Sequence, residues 1–333
     1  MFKNCKVIGD GISYEEYHRQ TAKRGDNDYS MSRSELIEFS VCPAKWILGP
    51  HGDDSSKSTE WGSLIDCLLT QRDKFDSLFA VRPETYPDKK TSEPKPFNMN
   101  STWCKEWVES QKGKIVIKPE IILEAESSVK AIQSDADVSE LIKVSRKQVF
   151  VIGFWEDPAT KLEIPVRILL DLVPPADHPT MGKWLADFKT ARSGDPAAWA
   201  RVVDDSGYDV QAALYSDIYT AATKEDRTDW VFAVQENVAP FHVVKPLMSI
   251  TEEFLAWGRV KYQSALTFYC QCLAKNEWPS YSFDKNKLMF GLNKIEPQDL
   301  WTYKKTAGQG SLDARNEYKQ QPAPTPNDGE VIP

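Results

Sequence analysis

Three strand-like segments follow one another between residues 148 and 189, with segments of helical period on both sides of them. Residues 148–155 and 164–173 are rich in β-branched, aromatic and aliphatic side chains, and the turn Glu156-Asp157-Pro158 begins their connection. Residues 183–189 read as a third strand, reached through the proline-rich stretch 174–182. A helix over 208–223, strands over 230–235 and 242–247, and a long helix over 251–275 complete the order. A doubly wound fold follows each strand with a crossover helix, so strands in hairpin-like succession exclude it. The expectation is an α/β fold with a mixed central β-sheet flanked by helices.

Upstream, Ser32-Arg33-Ser34-Glu35 has the form of a capping box before Leu36, Ile37 and Phe39, predicting a helix to about Trp46 that Pro43 interrupts. A polar loop is expected over 52–59. In the next helix Trp61, Leu64, Ile65, Leu68 and Leu69 form one stripe. Residues 83–102, rich in Pro, Lys and Ser, read as a long surface loop, and 119–143 as a further helix. These signals divide the chain into a polar N-terminal extension (1–30), one main domain (31–285), a C-terminal extension (286–319) and a disordered tail (320–333). The tail contains Gln-Gln-Pro-Ala-Pro-Thr-Pro-Asn-Asp-Gly, which has too little apolar surface to fold.

Composition narrows the function classes. No run approaches the 18 apolar residues of a membrane span, and the start, Met-Phe-Lys-Asn-Cys-Lys, has no apolar leader, so a cytoplasmic protein without membrane contact is expected. The six cysteines are scattered and read as free thiols; with Cys42 early and only Cys270 and Cys272 late, an iron–sulfur cluster is not expected. The histidines show no metal-ligand spacing, and neither a G-x-S-x-G elbow nor a P-loop occurs. A net charge of −8 argues against a protein that coats nucleic acid non-specifically. It leaves room for a local basic groove around a site whose carboxylates a bound cation neutralises.

Such a site is legible in the strands. Asp187 and Lys189 are two apart, so on a strand they project from one face while Phe188 turns to the other. An isolated pair of this kind is usually a surface ion pair. Here Asp171 accompanies it, inside the apolar run Leu169-Leu170-Asp171-Leu172-Val173, where an uncompensated carboxylate is costly. Mg²⁺ is a natural compensator, being held by one or two carboxylates together with waters and phosphate. Asp171 and Asp187 would carry the metal against a DNA phosphate, and Lys189 would orient or deprotonate the attacking water.

The ordered set Leu-Leu-Asp171, Ala-Asp187-Phe-Lys189-Thr190 and Gln211-Ala-Ala-Leu-Tyr215 resembles motifs II and III and the Gln-x-x-x-Tyr motif of the PD-(D/E)xK nucleases, RecB-like branch. Met31-Ser-Arg-Ser-Glu-Leu36, Cys42-Pro-Ala-Lys45, Trp61-Gly-Ser-Leu-Ile-Asp66, Phe232-Ala-Val-Gln-Glu236 and Asn276-Glu-Trp-Pro-Ser-Tyr281 extend the resemblance over roughly residues 30–282, and it is strongest to the exonuclease VIII (RecE-type) recombination exonucleases of phages and prophages. The resemblance implies a restriction-endonuclease-like core and a Mg²⁺-dependent deoxyribonuclease, with Mn²⁺ as a substitute. It implies 5′→3′ exonuclease action on linear duplex DNA, a single-strand annealing partner and a homo-oligomer. A single-strand-specific exonuclease or an endonuclease of the same fold, and a catalytically decayed DNA-end-binding protein, are the alternatives.

The resemblance also implies site residues. Asp171, Asp187 and Lys189 are catalytic, and Asp66 joins Asp171 and Asp187 as a metal ligand at a position where the family usually has histidine. Gln148 falls near a place where relatives often carry a strand glutamate. Gln211 and Tyr215, at i and i+4 on one helix face, would contact DNA or the surroundings of the metal, whereas spacing alone favours Tyr215 as core filler and Gln211 as a surface residue. Thr190 and Arg192 are assigned the same outer role, and Lys183 and Arg201 are candidates for phosphate contact or for a solvated face.

Overall fold

Six strands form one mixed sheet in the computed structural model, which describes residues 1–12, 14–49, 57–88, 93–244 and 247–280 and the strand pair Leu288–Met289 and Leu292–Asn293. They are β1 (Phe2–Gly9), β2 (Arg146–Glu156), β3 (Glu163–Val173), β4 (Trp184–Ala191), β5 (Asp229–Glu236) and β6 (Met248–Ser249), neighbouring one another in that order. The β4–β5 pair is parallel and every other neighbouring pair is antiparallel.

Helices cover both faces. Against one lie α1 (Arg33–Val41), α2 (Pro43–Leu48), α7 (Tyr208–Thr223) and α8 (Glu252–Lys275), whose Phe39, Trp46, Leu214, Ile218, Leu266 and Tyr269 share a core with Val151, Val166 and Ile168 of the sheet. Against the other lie α3 (Lys57–Thr70), α4 (Pro119–Ser134) and α5 (Ala136–Val144), whose Leu64, Ile65, Ile132 and Leu141 pack on Leu172, Ala186 and Ala233. A further helix, α6 (Pro196–Asp205), precedes α7. This is the expected α/β fold with a mixed central sheet flanked by helices.

Local chemistry sets the boundaries. Ser32 and Glu35 form the reciprocal capping box at the start of α1, and Pro43 at the first turn of α2 separates the two helices. At Gly258 of α8 an added Cβ would lie 2.1 Å from the Asp209 carbonyl oxygen, so this glycine is what lets α8 press against α7. Arg227, its side chain 2% exposed, donates to the carbonyls of Pro174, Gly182 and Trp184 at 2.9, 3.0 and 3.1 Å. It thereby pins both ends of the loop between β3 and β4.

Among the described residues the structure departs from the sequence reading at several points, and it adds a helix, Thr102–Ser110, and a parallel strand pair, Phe79–Val81 with Ile115–Ile117. Residues 1–30, read as an extension, contain β1, the edge strand paired with β2; its lysines and half-buried pattern suit an edge and hide the strand signal. Helix α6 was not foreseen. The helix expected over 119–143 breaks at Asp135, whose carboxylate caps α5 by accepting the N–H groups of Asp137 and Val138. Residues 83–102 carry two short paired strands, Thr85–Pro87 and Pro94–Pro96. Of the strand expected over 242–247, residues 245 and 246 lie outside the described residues; before them there is one bridge from Val243 to Gln235, and pairing resumes at Met248–Ser249. Apart from the start of α3 at Lys57, the expected loop over 52–59 lies outside the described residues. So do the tail over 320–333 and, apart from the strand pair, the segment 286–319. No helix among the described residues is long and apolar enough to cross a membrane.

Candidate active site

One bridge, Leu172 with Ala186, joins β3 to β4. Continuing its register sets Asp171 opposite Asp187, and there the ladder gives way: Asp171 Oδ2 accepts the Phe188 N–H at 3.3 Å. A side-chain carboxylate thus occupies the gap where backbone would otherwise pair with backbone. On the other flank of β3, the pairs Lys147–Leu172 and Val149–Leu170 place Gln148 opposite Asp171. Gln148, Asp171 and Asp187 therefore form a row across three strands.

Around this row the other groups converge. Asp187 is 2% exposed. Its Oδ1 accepts the Gln211 side-chain amide at 2.7 Å, and its Oδ2 lies 2.5 Å from Lys189 Nζ. Asp66 enters from α3; Gln148 Nε2 stands 3.1 and 3.3 Å from its two carboxylate oxygens, and Thr70 Oγ1 3.3 Å from one of them. Lys189 Nζ also sits 4.9 Å from the centre of the Tyr208 ring, which the Arg33 guanidinium approaches to 5.1 Å.

Three carboxylates, Asp187 buried and Asp66 and Asp171 half-buried, stand against one ammonium and make a strongly acidic site. Burial, followed by the charges of Asp187 and then Asp66, holds Asp171 well above the usual carboxylate range despite Lys189. Burial likewise pushes Asp66 from 3.8 up to about 6, with Asp187 adding to it and the Thr70 and Gln148 hydrogen bonds opposing it. Burial works against the Lys189 charge, but the Asp187 and Asp171 charges outweigh it and the ammonium is held above its ordinary value.

The residues fit a hard divalent cation. Asp187 Oδ2 and Gln211 Oε1 are buried without a hydrogen-bond partner, the lysine contact lying outside hydrogen-bond geometry. Unused oxygen lone pairs in a cavity of excess negative charge are what Mg²⁺ or Mn²⁺ satisfies. Among the described residues no three carboxylate, imidazole or thiolate groups form a cage by themselves.

A groove of about 780 Å³ passes over the site. Asp66, Asp171 and Asp187 belong to its acidic part, while Lys23, Arg24 and Arg33 come from the segment before and within α1. Arg24, Arg33 and Arg167 each keep a buried Nε–H without an acceptor. A second depression, of about 480 Å³, lies between α4 and residues 237–241 and contains none of these groups.

The structure brings together Asp66, Asp171, Asp187, Lys189, Gln211 and Tyr215, all lining the groove. Tyr215 also packs edge-on against Trp230 with ring centres 5.9 Å apart, so its packing and site readings coexist. It does not bring in Thr190 or Arg192. Thr190 turns towards α3, its Oγ1 3.7 Å from where a Cβ on Gly62 would stand, and Arg192 is exposed beyond the end of β4. Lys183 pairs with Asp226 and Arg201 is exposed. Gln148, Arg24 and Arg167 also line the groove, and the sequence reading gave them no place in the site. Arg167 had a signal, since it shares the parity of Asp171 on one strand.

A splayed strand pair presenting Asp…Asp-x-Lys, backed by a helix carrying Gln-x-x-x-Tyr, defines the PD-(D/E)xK class of site. The chain belongs to the family described as PDDEXK-like domain of unknown function (DUF3799), which matches residues 32–286. A crystal structure of a protein from Eubacterium rectale, described as a "putative exonuclease", aligns with a TM-score of 0.51 at 16% identity, covering 88% of this chain and 98% of that one. At that identity the likeness is one of fold. No curated protein matches the chain.

Proposed function

We propose that the protein is a divalent-metal-dependent deoxyribonuclease acting as a 5′→3′ exonuclease on linear duplex DNA, of the RecE type. The observation that carries the reading is the row of Asp171 and Asp187 at the splayed strands, with Lys189 and Gln211 on the same carboxylate. Asp171 and Asp187 would hold Mg²⁺, with Asp66 completing the set. The bound ion supplies Lewis acidity to the scissile phosphate and acidifies water. Lys189, next to Asp187, orients the nucleophilic water and offsets negative charge that builds on the phosphate oxygens. Gln211 holds Asp187 in one rotamer, and Tyr215 excludes water from the same wall. Lys23, Arg24 and Arg33 on the groove wall would supply contacts to a phosphate backbone, while Arg167, 3% exposed and paired with Glu35, holds that wall in place. This local concentration of donors reconciles a net charge of −8 with a nucleic-acid substrate. The intact carboxylates and lysine speak against a decayed end-binding protein.

The resemblance to recombination exonucleases supplies the direction of digestion, the homo-oligomer and the annealing partner, which belong to the proposal on that ground. The test is digestion of linear duplex labelled at either end beside covalently closed circles. Release of 5′ label, with circles intact, is expected. Rapid loss of circles supports the endonuclease alternative, and attack on single strands alone supports the other.

A further inference from the structure

Gln148 stands in β2 with φ at 49°, in the left-handed region that side chains other than Gly, Asn and Asp rarely enter. It is 4% exposed. The N-terminal segment holds the backbone on either side of it. Gly11 N–H donates to the Lys147 carbonyl at 2.8 Å and Ile12 N–H to the Gln148 carbonyl at 3.4 Å, while Arg146 grips Asp10 through two bonds of 2.8 and 2.7 Å. Strained backbone of this kind persists only where its surroundings over-determine it, and such residues gather at functional sites.

What the strained residue delivers is a side-chain amide between helix and sheet. Asp171 and Asp187 are fixed on neighbouring strands, but Asp66 rides on α3, a separate element. Its other hydrogen-bond partner, Thr70, is four residues along the same helix and cannot tie it to the sheet. Gln148 Nε2 can, and its near-equal distances of 3.1 and 3.3 Å to the two oxygens fix the rotation of the carboxylate plane. An ionised carboxylate has about four acceptor directions, so this clasp leaves others free for a cation. We propose that Gln148 is a positioning residue that sets which face of Asp66 is presented to Asp171 and Asp187, and thereby tunes divalent-metal affinity. The proposal rests on the metal-dependent nuclease reading above.

Calorimetric titration of the full chain with Mn²⁺ tests it without any cleavage. Gln148→Met keeps the length of the side chain but has no donor. Gln148→Gly adopts the left-handed backbone without strain and also lacks the amide. Both are expected to weaken Mn²⁺ binding about 10- to 100-fold, the range typical of losing a group that orients a ligand. Gln148→Gly should do so while its thermal midpoint stays at or above that of Gln148→Met, a separation that a purely structural role would not give. Because Gln148 acts through Asp66, Asp66→Ala/Gln148→Met should bind no more weakly than Asp66→Ala. Wild-type affinity in both single variants, or an equal loss on the Asp66→Ala background, overturns the proposal while the nuclease reading stands. A wild type that binds no Mn²⁺ overturns both.

Discussion

Asp66→Asn should stabilise the metal-free protein. Asparagine has the shape of aspartate, and its amide oxygen can still accept from Gln148, so the change removes little besides charge. The folded protein raises this carboxyl from 3.8 to about 6. It therefore holds the proton more tightly than the unfolded chain does. At low pH both states are protonated and nothing is lost. As the pH climbs from about 4 to about 6 the unfolded chain ionises first, stability falls, and above that range the penalty is complete. At about 1.4 kcal/mol for each tenfold change in proton affinity, the penalty is roughly 3 kcal/mol. Urea denaturation in EDTA, from pH 4.5 to 8, should show Asp66→Asn and wild type converging at the acid end. They should part by about 3 kcal/mol at neutral pH. Added Mg²⁺ should narrow the gap by stabilising the wild type more. A variant no more stable than wild type at neutral pH, or a difference that does not change with pH, would refute the claim that Asp66 is a strained carboxylate kept for a cation.

Other perturbations read other parts of the site. Lys189→Met should bind Mn²⁺ and DNA as wild type does, yet lose about 10²- to 10³-fold in turnover, as single-turnover cleavage would show. Gln211→Leu removes a buried bond to a charged group, worth about 1.5–3 kcal/mol, so kcat/KM should fall roughly 10- to 100-fold. Arg227→Met takes the donor from three carbonyls and the ion pair from Glu225, and urea denaturation should show a loss of about 3 kcal/mol.

Much of the fold was legible because its signals are local. The capping box at Ser32, the helix over Tyr208–Thr223 and the apolar strands around Asp171 follow from residue type and period. β1 was not legible because an edge strand with one half-buried face has a weak alternation, and its place depends on pairing with residues about 150 positions away. The core of the site was legible for a different reason: Asp171 is a carboxylate where an apolar strand should not tolerate one, and Asp187 and Lys189 share a strand face. Gln148 and Arg167 were harder to read. The first depends on a left-handed backbone held by residues 10–12, the second on a groove wall built by distant segments. Thr190 lies off the face that Asp187 and Lys189 share, since adjacent strand residues point to opposite faces, and Arg192 is exposed beyond the end of the strand.

On the proposed function, Asp171 and Asp187 form a metal-dependent cutting site. Its most direct test is cleavage of end-labelled linear duplex against Mg²⁺ concentration, for wild type, Asp171→Asn and Asp187→Asn, each first shown to be folded by circular dichroism. No cleavage is expected in EDTA, saturable restoration by Mg²⁺ in wild type, and none in either variant. Cleavage that persists in EDTA, or a variant that cuts at close to the wild-type rate, contradicts it.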